Sequence, residues 1–113
     1  MSAAASVRPF VTQLRTPRGL VLAVGEAGGD RITIRAQFEP LWDAVAMDVR
    51  PDTPINVVAR ALLDHFGERA DLSTFVVKVR GWEVRDVGAT LAAAGVQAGT
   101  TVHVAHRYRR PVR

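Results

Sequence analysis

The chain of 113 residues contains no cysteine, which excludes a disulfide-stapled fold, a thiolate metal site and a thiol nucleophile. No apolar run approaches the ~20 residues that a membrane-spanning helix requires, so we expect no membrane insertion. The opening residues lack a basic residue followed by an apolar stretch, so we expect no signal peptide and a cytoplasmic protein. Hydrophobic residues make up 48% of the sequence and charged residues 23%, as in an ordinary globular domain.

Lysine is almost absent, and the basic residues concentrate at the two ends of the chain. Residues 1–19 hold three arginines and no acidic residue, and residues 106–113 hold four arginines and no acidic residue. Of the 15 basic and 11 acidic residues, the stretch 20–105 therefore keeps eight basic residues against all 11 acidic ones. This acidic middle disfavours a basic nucleic-acid groove and favours ends that contact an acidic partner.

Two alternating segments predict a β-hairpin. Apolar residues at positions 32, 34, 36 and 38 alternate with polar ones, which is the period of a half-buried strand. Glu39-Pro40 interrupts this pattern, and a second alternation then places Val45, Met47 and Val49 on one face. Because the break is short, we expect the two strands to pair antiparallel.

A helix is predicted to follow the hairpin. Thr53 is a suitable N-cap and Pro54 suits the first helical position. An apolar stripe with helical spacing follows, and Gly67 supplies the stop. The stripe consists of Ile55, Val58, Ala59, Leu62 and Phe66. We expect it to pack on the hairpin.

The second half of the chain predicts three more strands. They are Phe75 to Arg80, Trp82 to Val84 after a turn at Gly81, and Thr101 to about Tyr108. Thr90 to Gly95 reads as a short helical turn capped by Thr90. One helix on one face of a mixed sheet of about five strands is an α+β roll.

The boundaries divide the chain into four parts. Residues 1–19 are interpreted as an N-terminal arm with a short strand near Phe10 to Leu14. Residues 20–30 combine an extra strand, Leu20 to Val24, with a Gly-rich stretch interpreted as a hairpin turn. Residues 31–109 form the main domain, and residues 110–113 form a basic tail.

Three segments of the main domain resemble the ubiquitin-like protein family. They are Met47 to Val57, then Gly81 to Asp86 with Thr90-Leu91, and Gly95 to Val104 with His103 between two inward aliphatic residues. The resemblance covers residues 31–109 and implies the β-grasp fold. It also implies a bacterial ubiquitin-like protein that acts by binding other proteins.

The chain departs from the family at two places. The resemblance implies a Gly-Gly terminus in conjugated members, whereas Arg110-Pro111 stands at those positions, so we expect activation for conjugation to fail. The positions of the family's apolar recognition face here make a surface that is polar and basic as a whole. They are Lys78, Arg80, His103, Ala105 and Arg107.

No arrangement of residues predicts catalysis, a cofactor or a metal. His103 and His106 are three apart on a strand and point to opposite faces, so they do not form a metal pair. The Gly-rich turn lacks the Lys-Ser/Thr of a phosphate loop. We therefore expect a protein that is not an enzyme and takes no small-molecule substrate.

Two tryptophans are candidates for partner contact. For Trp82, one interpretation is that it covers the edge of the core together with the strand at residues 20–24; the other is an interface anchor. The same two interpretations apply to Trp42. The basic end, with Arg107, Tyr108, Arg109 and Arg110, is a further candidate contact.

The expected function is a non-catalytic interaction or assembly module. Its partners would be other proteins, a second copy of the chain or the enzymes of a ubiquitin-like pathway, and the resemblance implies an antiphage defence operon. One alternative is an accessory domain of type VII secretion. Another is a nucleic-acid-binding protein that uses its Arg-rich tail, which the acidic middle of the chain disfavours.

Overall fold

A computed structural model describes residues 16–107 of the chain. Its elements are β1 (Val21–Ala23), β2 (Ile32–Phe38), β3 (Asp43–Val49), α1 (Ile55–His65), β4 (Phe75–Val79), β5 (Trp82–Glu83) and β6 (Thr101–His106). Short 3-10 turns at Glu39–Leu41 and Leu72–Thr74 lead into β3 and β4. The predicted fold class is confirmed, because a mixed sheet packs one face against α1.

The sheet order within the described residues is β1-β3-β2-β6-β4-β5. β2 and β3 form the predicted antiparallel hairpin, with Ile34 opposite Met47 and Phe38 opposite Asp43. β6 lies between β2 and β4, parallel to β2 and antiparallel to β4. The alternating apolar residues of these strands face α1 and form the core with its apolar stripe.

The start of α1 differs from the prediction. The helix begins at Ile55, and Pro54 precedes it in an extended conformation, so Thr53 is not its N-cap. The first helical amide groups instead donate to a distant loop: Ile55 N–H to the carbonyl of Ala89 at 2.9 Å and Asn56 N–H to that of Val87 at 2.8 Å. A tertiary contact thus satisfies donors that a side-chain cap would otherwise have to satisfy.

The end of α1 agrees with the prediction at Gly67. This glycine has φ +74°, its N–H donates to the Asp64 carbonyl, and Glu68 N–H donates to the Leu63 carbonyl. These bonds form a Schellman motif, which requires a left-handed residue at this position. Arg60 closes the same turn by donating to the carbonyls of Glu68 and Ala70 at 2.7 and 3.1 Å.

The extra strand is present, but the hairpin-turn prediction for the Gly-rich stretch is wrong. β1 pairs parallel with β3, so the Gly-rich stretch carries the chain across β3 to β2. Arg31 fastens this crossover by donating to the carbonyls of Glu26, Val24 and Asp48 at 2.7, 3.3 and 2.8 Å. Its Nε also lies 3.2 Å from Asp48 Oδ2.

The last residues of the predicted arm contact the domain. Thr16 N–H donates to Asp43 Oδ2 at 2.6 Å, and its hydroxyl lies 3.1 Å from His65 Nε2. The predicted short strand near Phe10 and the end of the chain from Tyr108 onward lie outside the described residues. The turn after Thr90 is confirmed, because Thr90 Oγ1 accepts from the Ala93 N–H at 3.1 Å.

Replacing Arg31 should loosen the crossover more than it disturbs the core. Arg31→Met removes three charge-assisted hydrogen bonds to carbonyls. A hydrogen bond of this kind contributes about 1.5–3 kcal/mol to the free energy of unfolding. We expect a lower free energy of unfolding in urea and faster hydrogen exchange at the Val24 amide, which donates to the Asp48 carbonyl. Arg69→Met is the matched control, because Arg69 is exposed on the loop after α1. Unchanged exchange at Val24 would contradict this role of Arg31.

Gly25 should tolerate alanine less well than Gly28. Both have positive φ, but a Cβ at Gly25 would lie 3.1 Å from Thr53 Oγ1, whereas nothing lies within 4 Å of a Cβ at Gly28. We therefore expect Gly25→Ala to destabilise more than Gly28→Ala in parallel urea titrations, because only the first adds a steric contact to the left-handed strain. Equal losses of stability in the two variants would show that the Thr53 side chain moves aside without a measurable energetic cost.

Candidate protein-binding face of the sheet

One face of the sheet packs on α1, and the other, here called the open face, points away from it. Its side chains come from the outward positions of β2, β3, β4 and β6. They are Thr33, Arg35, Gln37, Ala44, Ala46, Asp48, Val76, Lys78, Thr101, His103 and Ala105. The register places three of them in one row across adjacent strands, since Gln37 pairs with His103 and His103 pairs with Lys78.

The structure brings four of the predicted contact residues together at β4 and β6. Lys78 lies opposite His103, and Ala105 lies opposite Val76. Arg80 follows β4 in the Arg80-Gly81 turn, where its φ of 54° is left-handed and its side chain is exposed. His103 Nδ1 is buried 3.6 Å from Glu39 Oε2 and has no hydrogen-bond partner in the described part of the chain.

Arg107, also predicted as a contact, is tied to its own domain. Its guanidinium donates to the carbonyls of Ser73 and Phe75, each at 3.1 Å, and to Glu83 Oε2 at 3.3 Å. These bonds join the end of β6 to β4 and β5 and use three of the five N–H donors of Arg107. Tyr108, Arg109 and Arg110 lie outside the described residues.

The acidic groups on and around the open face are engaged, whereas three of its cations are not. Asp48 is paired with Arg31 and Glu83 with Arg107. Asp43, which lines the end of the hairpin, accepts from the Thr16 and Ala44 backbone N–H groups, and Glu39 lies beside His103. In contrast, no carboxylate lies within 4 Å of a cationic atom of the face's remaining basic residues, as far as residues 16–107 show. These residues are Arg35 and Lys78 on the face itself and Arg80 in the turn at the end of β4. The face therefore presents net positive charge to a partner.

Trp42 lies at the end of the β2–β3 hairpin with 74% of its surface exposed. Its φ of 51° and ψ of 40° are left-handed, an unfavourable conformation for a bulky residue. It forms one wall of a groove of about 340 Å³ on the open face, which we call the Trp42 groove. Its other open-face lining residues are Thr33, Arg35, Gln37, Ala44 and Ala46.

Trp82 does not cover the core edge, so the first interpretation of this residue is wrong. It is 79% exposed, and the strand at residues 20–24 lies at the opposite edge of the sheet. Trp82 pairs with the inward-facing Val79, so its side chain is on the α1 side of the sheet. The two tryptophans therefore belong to different surfaces and cannot form one patch.

Sequence reasoning missed Arg35 and Gln37 as candidate contacts. They were recognised as outward residues of a strand, but nothing local distinguishes them from solvated positions. The detectable signal was the pair of small outward residues on β3, Ala44 and Ala46, which leave space beside a large aromatic residue in the hairpin loop.

Comparison with solved structures identifies the architecture. A designed protein based on ubiquitin matches with a TM-score of 0.60 at 20% identity, over 76% of this chain and 100% of that chain. The ubiquitin-like domain of an Arabidopsis thaliana protein matches at 0.59 and 14%, over 78% and 89% of the two chains. The ubiquitin of Caldiarchaeum subterraneum matches at 0.59 and 16%, over 71% and 98%. This chain has the ubiquitin-like fold.

No protein-family model and no curated protein matches the chain. The predicted ubiquitin-like β-grasp is confirmed at the level of the fold, and the surface chemistry of this ubiquitin-like domain must be derived from its own residues. Across residues 16–107, no group of three His, Asp or Glu side chains is placed to hold a metal ion. In the same range, no helix is long and apolar enough to cross a membrane.

Replacing Trp42 with glycine should leave the domain nearly as stable as the wild type. The change removes left-handed strain of about 1–2 kcal/mol, which offsets the ~0.5–1 kcal/mol of backbone entropy that glycine adds. We expect the free energy of unfolding to change by less than about 1 kcal/mol in urea titrations.

Phe38→Ala is the contrasting control for this measurement. Phe38 is 3% exposed and stacks on Phe66 with ring centroids 5.5 Å apart, so its loss should cost about 3–5 kcal/mol. A comparable loss in Trp42→Gly would show that Trp42 serves the fold.

Proposed function

We propose that this ubiquitin-like chain is a non-catalytic module that binds another protein through its open face. The observation that supports it is the imbalance of charge there: Asp48 and Glu83 are paired with arginines of the same domain, while Arg35, Lys78 and Arg80 have no carboxylate partner in residues 16–107. Complementary charge accelerates encounter and selects partners, so such a face is suited to recognition. A protein partner also accords with the ubiquitin-like fold.

The side chains that come nearest to a catalytic arrangement support binding instead. Thr16 Oγ1 lies 3.1 Å from His65 Nε2, the contact expected of a nucleophile and its base. The nearby Asp43, however, accepts from the Thr16 backbone N–H and not from the His65 ring. Within residues 16–107 no third group orients the imidazole, so the pair serves to hold residue 16 against α1 and β3.

The cellular setting belongs to the same proposal. The family resemblance favours a bacterial cytoplasmic protein whose partners include activating or conjugating enzymes of a ubiquitin-like pathway in antiphage defence. The type VII secretion alternative predicts a neighbouring membrane-channel gene instead. Inspecting the genes beside the coding sequence separates these two settings.

Charge reversal on the open face should abolish partner capture. We would place a photocrosslinking amino acid at Ala105 on the open face, or at Val57 on α1, in the full chain expressed in its host. We expect a protein crosslinked from position 105 that is absent from position 57. The capture should fall about tenfold or more when Lys78→Glu and Arg80→Glu are introduced together, because each change places an acid before an acidic partner.

Arg69→Glu is the matched control for charge, since it reverses an exposed arginine away from the open face. It should preserve the crosslinked protein. Capture that survives reversal at Lys78 and Arg80, or crosslinked material that nuclease removes, would overturn the proposal.

Light scattering tests whether the partner is a second copy of the chain. A solution mass above the 12.3 kDa monomer that returns to the monomer value on Lys78→Glu and Arg80→Glu would identify self-association through the open face. A monomer in both would direct the search to a different protein.

A further inference from the structure

The Trp42 groove combines an exposed aromatic wall with a floor of methyl groups. Ala44 and Ala46 leave space on the outward side of β3, and the indole of Trp42 stands at the end of that space. Val21, 49% exposed on β1, extends the apolar surface because it pairs with Ala46. A ring or branched aliphatic side chain would bury apolar surface here against Trp42 and the two alanines.

The backbone of Trp42 gives an independent reason to assign it a binding role. A bulky residue in the left-handed region is strained, and glycine or asparagine would occupy the position without that strain. Burial of the indole does not offset this backbone strain, because 74% of the Trp42 surface is exposed. Strain retained at an exposed aromatic residue is typical of a functional surface.

The unpaired cations lie on the β2 side of the groove and beyond it towards β4, at spacings that the register defines. Arg35 lines the groove itself. Gln37 pairs with His103 on β6, and His103 pairs with Lys78 on β4, so Lys78 is two strands away from Gln37. Arg80 follows Val79 at the end of β4. With strands about 4.8 Å apart, Lys78 is about 10 Å from the β2 side of the groove. An extended peptide covers that distance in about three residues.

We infer that the Trp42 groove binds an acidic segment of a partner protein, taking one aromatic or aliphatic side chain against Trp42 while flanking carboxylates pair with Arg35, Lys78 and Arg80. This inference rests on the proposed function and names the chemistry of the partner. Arg35 supplies two donors to a carboxylate beside the apolar side chain. Lys78 and Arg80 receive carboxylates about three residues away.

A protein segment fits this surface better than a nucleic acid. A phosphate backbone requires a continuous basic track, whereas the unpaired cations here are only three within residues 16–107, and Gln37 and His103 separate Lys78 from the groove. A short peptide needs only a few carboxylates placed around one apolar side chain.

Fluorescence anisotropy with a defined probe tests the inference on the full chain. The probe is a fluorescein-labelled, glutamate-rich peptide with one central phenylalanine. We expect binding that weakens about tenfold or more in Trp42→Gly and severalfold in Arg35→Ser. A peptide with alanine in place of phenylalanine, and one with glutamine in place of every glutamate, should each bind more weakly than the probe.

Two variants serve as matched controls. Leu41→Ser removes an apolar residue that is 43% exposed and adjacent to Trp42 but outside the groove lining. Arg69→Ser removes an exposed arginine away from the open face. Both should bind the probe with wild-type affinity, and urea titrations of each variant confirm folding.

Three results would overturn the inference. They are no binding of the probe to the wild type, equal binding to wild type and Trp42→Gly, or displacement of the probe by single-stranded DNA at lower concentration than by unlabelled peptide. A negative result of the peptide experiment can be distinguished from a negative result of the crosslinking experiment, which tests the proposed function. If crosslinked protein is still lost on charge reversal at Lys78 and Arg80, the open face binds a protein of other chemistry.

Discussion

The pairing of β6 between β2 and β4 is the contact on which the rest of this structure depends. It joins the first hairpin to the second half of the chain through one parallel and one antiparallel ladder. Val102 and Val104, fully buried, bring β6 into the core with α1. Because a parallel pair requires a crossover connection, α1 covers one face of the sheet and leaves the other as the open face.

The crossover also explains why the helix start is built from distant residues. The loop before β6 passes the beginning of α1, where Ala89 and Val87 accept the first helical amide groups. In return, Leu91 N–H donates to the Thr53 carbonyl at 2.9 Å, and Leu91 is fully buried. The helix and the approach to β6 are thus stabilised together, so loosening either should expose unpaired backbone groups of the other.

The same packing determines which charges are available on the surface. Arg31 and Arg107 are used to hold the crossover and the end of β6, and in doing so they neutralise Asp48 and Glu83. Arg35 on β2, Lys78 on β4 and Arg80 in the turn after β4 form no ion pair within residues 16–107. Structural ion pairs therefore create the net positive charge of the open face, which formal charge along the sequence does not show.

Local patterns in the sequence by themselves determined the hairpin strands, α1 with its end at Gly67, and β4, because alternation and helical spacing report which side chains share a face. They also indicated the ubiquitin-like order of strands and helix along the chain, and the outward residues of β4 and β6. Tertiary structure alone decided that β1 pairs parallel with β3, that Thr53 is replaced as cap by a loop, and that Arg107 is internally bonded. It also separated Trp42 from Trp82 and placed Arg35 beside a groove. Each of these depends on contacts between residues far apart in the chain, and a local pattern carries no information about which distant surfaces meet.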